Sequence, residues 1–301
     1  FHPGKRSSIL LGVANLFILI ILFLSFIMKI NHLFLILLIM LMYGSAYPVG
    51  KIGTNLIPPL LMGSLRVFFL FILILPFFNF KIPRYNFSIL IYFSVVMGFF
   101  VYGFLYLALD FSSLIAPIII GTQMAVPFGL ILSLFILREK ISFKKWILIF
   151  LSFFGIIILA YDPRFGKELL GLLMIVIMAF FYALANILSR FLKDIDTMTQ
   201  MGWHCIIGFI LLIVCSYIFE GNPIENLFPI NYSAMITVIH ASLFVSLIGH
   251  GGLFYLYKFY PVSSVLPFYS LFPIFGMILT FFIFLEIPGF FEIVGGTIVV
   301  G

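Results

Sequence analysis

YLALDFSSLIAP, residues 106–117, and YLYKFYPVSSVLP, residues 255–267, are similar phrases in a chain of 301 residues. Each runs from a tyrosine-rich apolar helix end through paired serines to a proline. The likeness continues downstream. Pro127 and LSLFILREK follow the first copy, Pro273 and LTFFIFLEI the second, so that a glutamate, Glu139 or Glu286, stands at each helix exit. Features recurring in one order about half a chain apart mark an internal repeat.

Composition decides the solvent in which this repeat folds. Hydrophobic residues make up 64% of the chain and charged residues 9%, with a mean hydropathy of +1.31. A soluble domain carries roughly a quarter charged residues, which it needs to face water. This chain is therefore a polytopic membrane protein. In hydrocarbon every backbone group must bond within the chain, so each apolar run is read as a helix; a barrel would need short alternating strands instead of long continuous runs. A helical span takes about 20 residues. Runs of about that size fall at 33–50, 59–79, 86–109, 112–137, 144–161, 168–190, 198–219, 232–257, 262–285 and 288–301. The expected fold is all-α, with about ten transmembrane helices.

Residues 9–28 form a further apolar run, read either as an extra N-terminal helix or as sequence lying upstream of a natural start at Met28, MKINHLF. The final span is expected to be cut short at Gly301. Basic residues report orientation, since they gather on the cytoplasmic side. With the span at 33–50 starting in the cytoplasm, the inner loops hold Lys29, Lys81, Arg84, Arg138, Lys140, Lys144, Lys145, Arg190, Lys193 and Lys258. The outer loops hold Lys51, Arg164 and Lys167. Both ends of the ten-helix unit are then cytoplasmic, in an inner or plasma membrane. The formal charge of +6 is accounted for by this bias and implies no nucleic acid.

Ten spans shared between two copies give five each. Five is odd, so the second copy enters the membrane from the opposite side. Inverted halves are the arrangement of alternating-access transporters.

Three stretches carry a resemblance to a known family. MYGSAYPVGK (42–51), PPLLMGSLR (58–66) and the segment from Tyr106 through the Glu139 loop to Leu159 resemble the first, second, and fourth to fifth helices of the drug/metabolite transporter superfamily, EamA type. Tyr43 stands where that family usually has tryptophan. The resemblance implies two five-helix units, 29–161 and 162–301, behind a hydrophobic extension at 1–28. It also implies a central cavity between them and export or exchange of small metabolites. It fixes no substrate.

Polar residues inside spans are the candidates for solute binding. Arg66 lies within the second run, roughly 12 Å deep if that helix starts near Pro58. It either attracts a carboxylate or phosphate, or pairs with carbonyls and positions the fold; the resemblance favours the second, since the family carries arginine here across many substrates. Tyr43 and Tyr47 share a helix face at i, i+4, with Pro48 expected to break the hydrogen-bond ladder beside them. Tyr102 with Tyr106, and Tyr182 with Asn186, repeat that spacing. Gln123, beside Thr122, and Asn186 are read as mid-span amides that must bond either a neighbouring helix or a ligand. His250 and Tyr269 complete the set. Tyr106, Tyr217 and Tyr260 near helix ends are assigned to the interfacial aromatic belt. His204, His240 and His250 sit at no ligand-like spacing and are read as interhelical hydrogen-bonding groups. Cys205 and Cys215 are read as packing residues. No metal, cofactor or catalytic residue is expected.

The carboxylates Asp110, Glu139, Asp162, Glu168, Glu286 and Glu292 stand at or near helix ends, which argues against a proton-coupled cation exporter needing a mid-membrane acid. The leading expectation is a secondary transporter of small polar metabolites, amino acids or related compounds first. Its partners are a small solute and the lipid bilayer, and the sequence leaves a homodimer open. The alternatives are an integral membrane enzyme acting on lipid or isoprenoid substrates, and a structural or lipid-scrambling membrane protein.

Overall fold

The computed structural model describes residues 28–80, 86–136, 138, 143–160, 169–192, 194–257, 259–260, 265, 268–269 and 271–300. The N-terminal apolar run, Glu139, Asp162, Glu168, the second serine pair and several orientation-setting charges lie outside them. Among the described residues there is no strand. The helices are α1 Ile30–Thr54, α2 Pro59–Ile74 and α3 Phe87–Phe111. After them come α4 Ala116–Ile136, α5 Phe143–Ala160, α6 Leu169–Phe191 and α7 Thr197–Phe219. The last three are α8 from Tyr232 to Tyr257, α9 Leu271–Phe284 and α10 Phe290–Val300. A short helix, Pro223–Leu227, lies in the loop before α8.

Seven of these, α1–α4 and α6–α8, are long and apolar enough to cross a membrane. The sequence predicts ten spans; as described, α5, α9 and α10 are shorter, with the apolar part of α5 running Ile149–Ala160. Local chemistry sets several ends. Pro59 occupies the first position of α2, where its missing N–H costs nothing. Asp196 caps α7 by accepting from Met198 N at 2.9 Å and Thr199 N at 3.2 Å. Asn231 caps α8 in the same way through Ala234 N.

Packing shows how the halves relate. Exchanging α1–α5 for α6–α10 maps the contacts onto themselves. α1 packs on α9 and α6 on α4; α1 packs on α8 and α6 on α3; α2 meets α7, and α5 meets α10. Equivalent helices run in opposite senses. The N-terminus of α2 receives the Glu220 carboxylate from the C-terminal end of α7, through Leu60 N at 2.6 Å and Leu61 N at 3.0 Å. The N-terminus of α4 receives Glu286, just past α9, through Ile115 N at 3.0 Å and Ala116 N at 2.9 Å. The chain is an all-α polytopic membrane protein built of two inverted five-helix repeats.

Lipid tails are as apolar as leucine, so association rests on close packing and glycine crossings. A Cβ on Gly44 of α1 would lie 2.6 Å from Gly276 N of α9. One on Gly98 of α3 would lie 2.1 Å from His204 O, with Gly208 of α7 facing it. Backbone cannot yield to a clash of that depth. Gly98→Ala is therefore expected to abolish the yield of monodisperse protein in detergent. Gly129→Ala, where nothing lies within 4 Å, should be neutral. Equal yields for the two variants would refute the Gly98 crossing.

Two equivalent helices are locally widened into π turns, Val96–Val101 in α3 and His240–His250 in α8. Such insertions concentrate at functional sites. Here both border the central cavity.

Candidate functional site

A cavity of ≈ 520 Å³ lies between the two halves. Eight elements reach it, α7 through Thr197 and Gln200 at one end. From the first half, α1 supplies Tyr43 and Tyr47, α2 Arg66, α3 Tyr102 and α4 Gln123. From the second, α6 supplies Tyr182 and Asn186, α8 His250, and the segment entering α9 Tyr269. All nine residues singled out from the sequence therefore line one space, with Thr122 and Phe272 beside them.

Arg66 is 2% exposed and forms the charged pole of this space. Its Nε donates to Ser246 Oγ at 3.0 Å and its Nη1 to Tyr106 Oη at 3.4 Å. The guanidinium carbon lies 4.4 Å from the centre of the Tyr102 ring, a cation–π contact. Ser242, one turn before Ser246, donates to the Arg66 carbonyl at 2.9 Å. A first-half arginine is thus gripped at head and backbone by the π turn of the second half. Hydroxyls and a ring satisfy hydrogen bonds but supply no negative charge, so the cation keeps its field in the cavity.

Much of the remaining lining is aromatic. Tyr43 lies 5.2 Å from the His250 ring and 6.1 Å from Tyr269. Tyr47 stacks on Phe272 at 6.0 Å, and its hydroxyl donates to Thr122 Oγ1 at 3.0 Å. Pro48 does not end α1, which continues to Thr54. The break falls in α4 instead, between Ala116–Thr122 and Ala125–Ile136. Pro127 has no N–H to offer the Gln123 carbonyl, and Val126 N donates to it at 3.0 Å. Gln123 sits at that break, 5% exposed, with Nε2 3.4 Å from Tyr269 O. Discontinuous helices of this kind place polar backbone beside transported solutes. Removing the Tyr47 hydroxyl deletes one buried hydrogen bond, worth about 1 kcal/mol. Tyr47→Phe should accordingly lower the thermal midpoint slightly in detergent; a drop as large as that of a core truncation would disprove this assignment.

The two ends of the cavity differ. At one end Ser189, Arg190, Ile195 and Thr197, around the α6–α7 turn, form a mouth. At the other end carboxylates tie the halves together, Glu220 on α2 and Glu286 on α4. Ser216 Oγ donates to Glu220 at 2.7 Å, steadying it. Lys51 Nζ on the same side donates to Leu109 O at 2.7 Å.

Several sequence readings change. Lys51, expected in an outer loop, is in the last turn of α1 and only 9% exposed, so Arg66 is not alone among buried cations. Tyr106, expected in the aromatic belt, is 1% exposed because its helix turns that face toward Arg66. Tyr260 accepts from Lys29 N at 3.0 Å and lies 2.8 Å from His32 Nδ1. Tyr217 is 65% exposed. Asn186, expected mid-span, lies near the α6 C-terminus, exposed at the mouth. His240 Nε2 pairs with Ser45 Oγ at 3.1 Å across helices. His204 makes no such side-chain bond and lies against the rings of Phe93 and Tyr102 at 6.0 and 5.9 Å. Among the described residues no group of three His, Cys, Asp or Glu is placed to hold a metal.

The fold and the cavity define a class: a multi-pass helical protein whose inverted halves enclose a chamber with a buried arginine. The model of the EamA-like transporter family matches residues 30–161 and again 169–301, and the chain belongs to that family. Over 247 residues it is 24% identical to the "Probable amino-acid metabolite efflux pump" of Escherichia coli (strain K12), covering 77% of this chain and 82% of the relative. Over 202 residues it is 28% identical to the "Uncharacterized transporter YoaV" of Bacillus subtilis (strain 168), covering 62% of this chain and 67% of that one. A solved structure, described as "Crystal structure of protein", shares the fold at a TM-score of 0.63 and 13% identity, covering 91% of this chain and 95% of the other. The protein is a membrane transporter of the drug/metabolite type.

Proposed function

We propose that the chain is a secondary transporter that moves small polar metabolites, amino acids and related compounds foremost, across the inner or plasma membrane by alternating access. The observation that carries this reading is the chamber itself. It lies between inverted halves, is lined by a buried arginine and tyrosines from both, and has a mouth at one end and cross-half tethers at the other. Inverted halves can exchange conformations, so that the face now tied opens while its counterpart closes. The efflux-pump name of the Escherichia coli relative supports the solute class. The excess of basic residues in alternate loops supports a cytoplasmic mouth at the α6–α7 turn.

Purified protein in liposomes should accelerate counterflow of labelled amino acids or their acylated and deaminated derivatives, measured with and without a pH gradient. Flux equal to that of protein-free liposomes for the whole panel, from protein that remains folded, would reject the transport reading.

A further inference from the structure

The charge balance of the chamber narrows the solute, on the transport reading above. Among the described residues its lining contains Arg66 and Arg190 and no aspartate or glutamate. Arg66 is bonded to Ser246 and Tyr106 and lies over the Tyr102 ring, none of them anionic. A cation held away from water without a counter-charge leaves the site electrostatically incomplete, and a ligand that brings one negative charge completes it. A zwitterionic amino acid brings an ammonium as well, and no lining carboxylate is there to receive it. The neutral acceptors in the lining include the tyrosine hydroxyls and the amides of Gln123 and Asn186. The rest of the wall, Tyr43, Tyr47, Tyr269 and Phe272 with Val101, Leu105 and Val245, suits an apolar or aromatic tail.

We infer that the preferred solute is a monoanionic organic acid whose α-amino group is absent or blocked, such as a 2-hydroxy acid, a 2-oxo acid or an N-acyl amino acid, with its carboxylate at Arg66. The amino-acid skeleton is kept and the ammonium is not.

A matched series tests this in detergent by ligand-induced thermal stabilisation and in liposomes by counterflow. The series is 3-phenyllactate (charge −1), phenylalanine (zwitterion), N-acetylphenylalanine (−1) and phenylalaninamide (+1), on one side-chain scaffold. The two anions should bind at least about tenfold tighter than phenylalanine, and phenylalaninamide should be weakest. Gln123→Glu, which adds a carboxylate in nearly the same shape, should narrow or reverse the order between 3-phenyllactate and phenylalanine. Tighter binding of phenylalanine or its amide to the wild type overturns the inference while leaving the transport reading standing. An unchanged order in Gln123→Glu, when that variant is folded, also overturns it. Failure of the whole series to bind or move overturns the inference, and the transport reading then rests on the wider panel above.

Discussion

Replacing Arg66 with glutamine is expected to reduce affinity for a carboxylate solute by at least about 30-fold, equivalent to about 2 kcal/mol. The reason is the depth and isolation of its charge. The guanidinium is 2% exposed and its partners are neutral. Desolvated charge pairs lose roughly 2–5 kcal/mol when one member is truncated. Arg66→Lys keeps the charge but not the fork, and a single ammonium cannot reproduce Nε on Ser246 together with Nη1 on Tyr106. It should fall between wild type and Arg66→Gln, with Ser246→Ala weakening binding less than either because the charge remains. The readouts are dissociation constants and the yield of folded protein, taken together. If Arg66→Gln transports normally but folds poorly, the arginine serves the scaffold and the binding role is lost.

Removing the two carboxylate tethers is expected to unseal the end of the chamber opposite the mouth. Each tether joins a helix N-terminus of the first half to a glutamate of the second, where hydrogen bonding and the partial positive charge of the helix end act together. Hydrogen bonds to charged groups contribute about 1.5–3 kcal/mol. A shift of only 2 kcal/mol changes a two-state equilibrium about 30-fold. The double variant Glu220→Gln, Glu286→Gln should therefore populate the opposite-facing state. The probe is a cysteine replacing the lining residue Leu105, with Cys205 and Cys215 changed to alanine. Impermeant thiol reagent applied from the Glu220 side should modify it roughly ten times faster than in the background with both glutamates. Unchanged labelling in a protein of unchanged thermal stability would mean that these contacts cap helices and gate nothing.

Much of this was readable from residue types. Polar groups in long apolar runs stand out because hydrocarbon tolerates them only where they face a partner or a wet space. That is why Tyr43, Tyr47, Arg66, Tyr102, Gln123, Tyr182, Asn186, His250 and Tyr269, scattered over seven elements, turn out to border one chamber. Position along a helix was the weaker guide. Tyr106 lies near a helix end and reads as an interfacial ring, yet its helix presents it inward to Arg66. Ser242, Ser246 and Phe272 gave no signal, because small hydroxyls and phenylalanines are everywhere in such a chain. The recurring glutamate at the helix exit was visible as a pattern, but what Glu286 binds was not.

The amino-acid string alone determined the solvent, the helical class and the twofold repeat, since these follow from apolar content, run length and a phrase written twice. An odd number of runs per copy also required the second to lie upside down to the first. The tertiary structure decided which polar groups meet, which end of the chamber is tied and by what, and that the buried cation has no acidic neighbour in the lining described. Those are distances between residues up to 231 positions apart, and they depend on helix rotation and on backbone crossings such as Gly98 against Gly208. No local pattern encodes them.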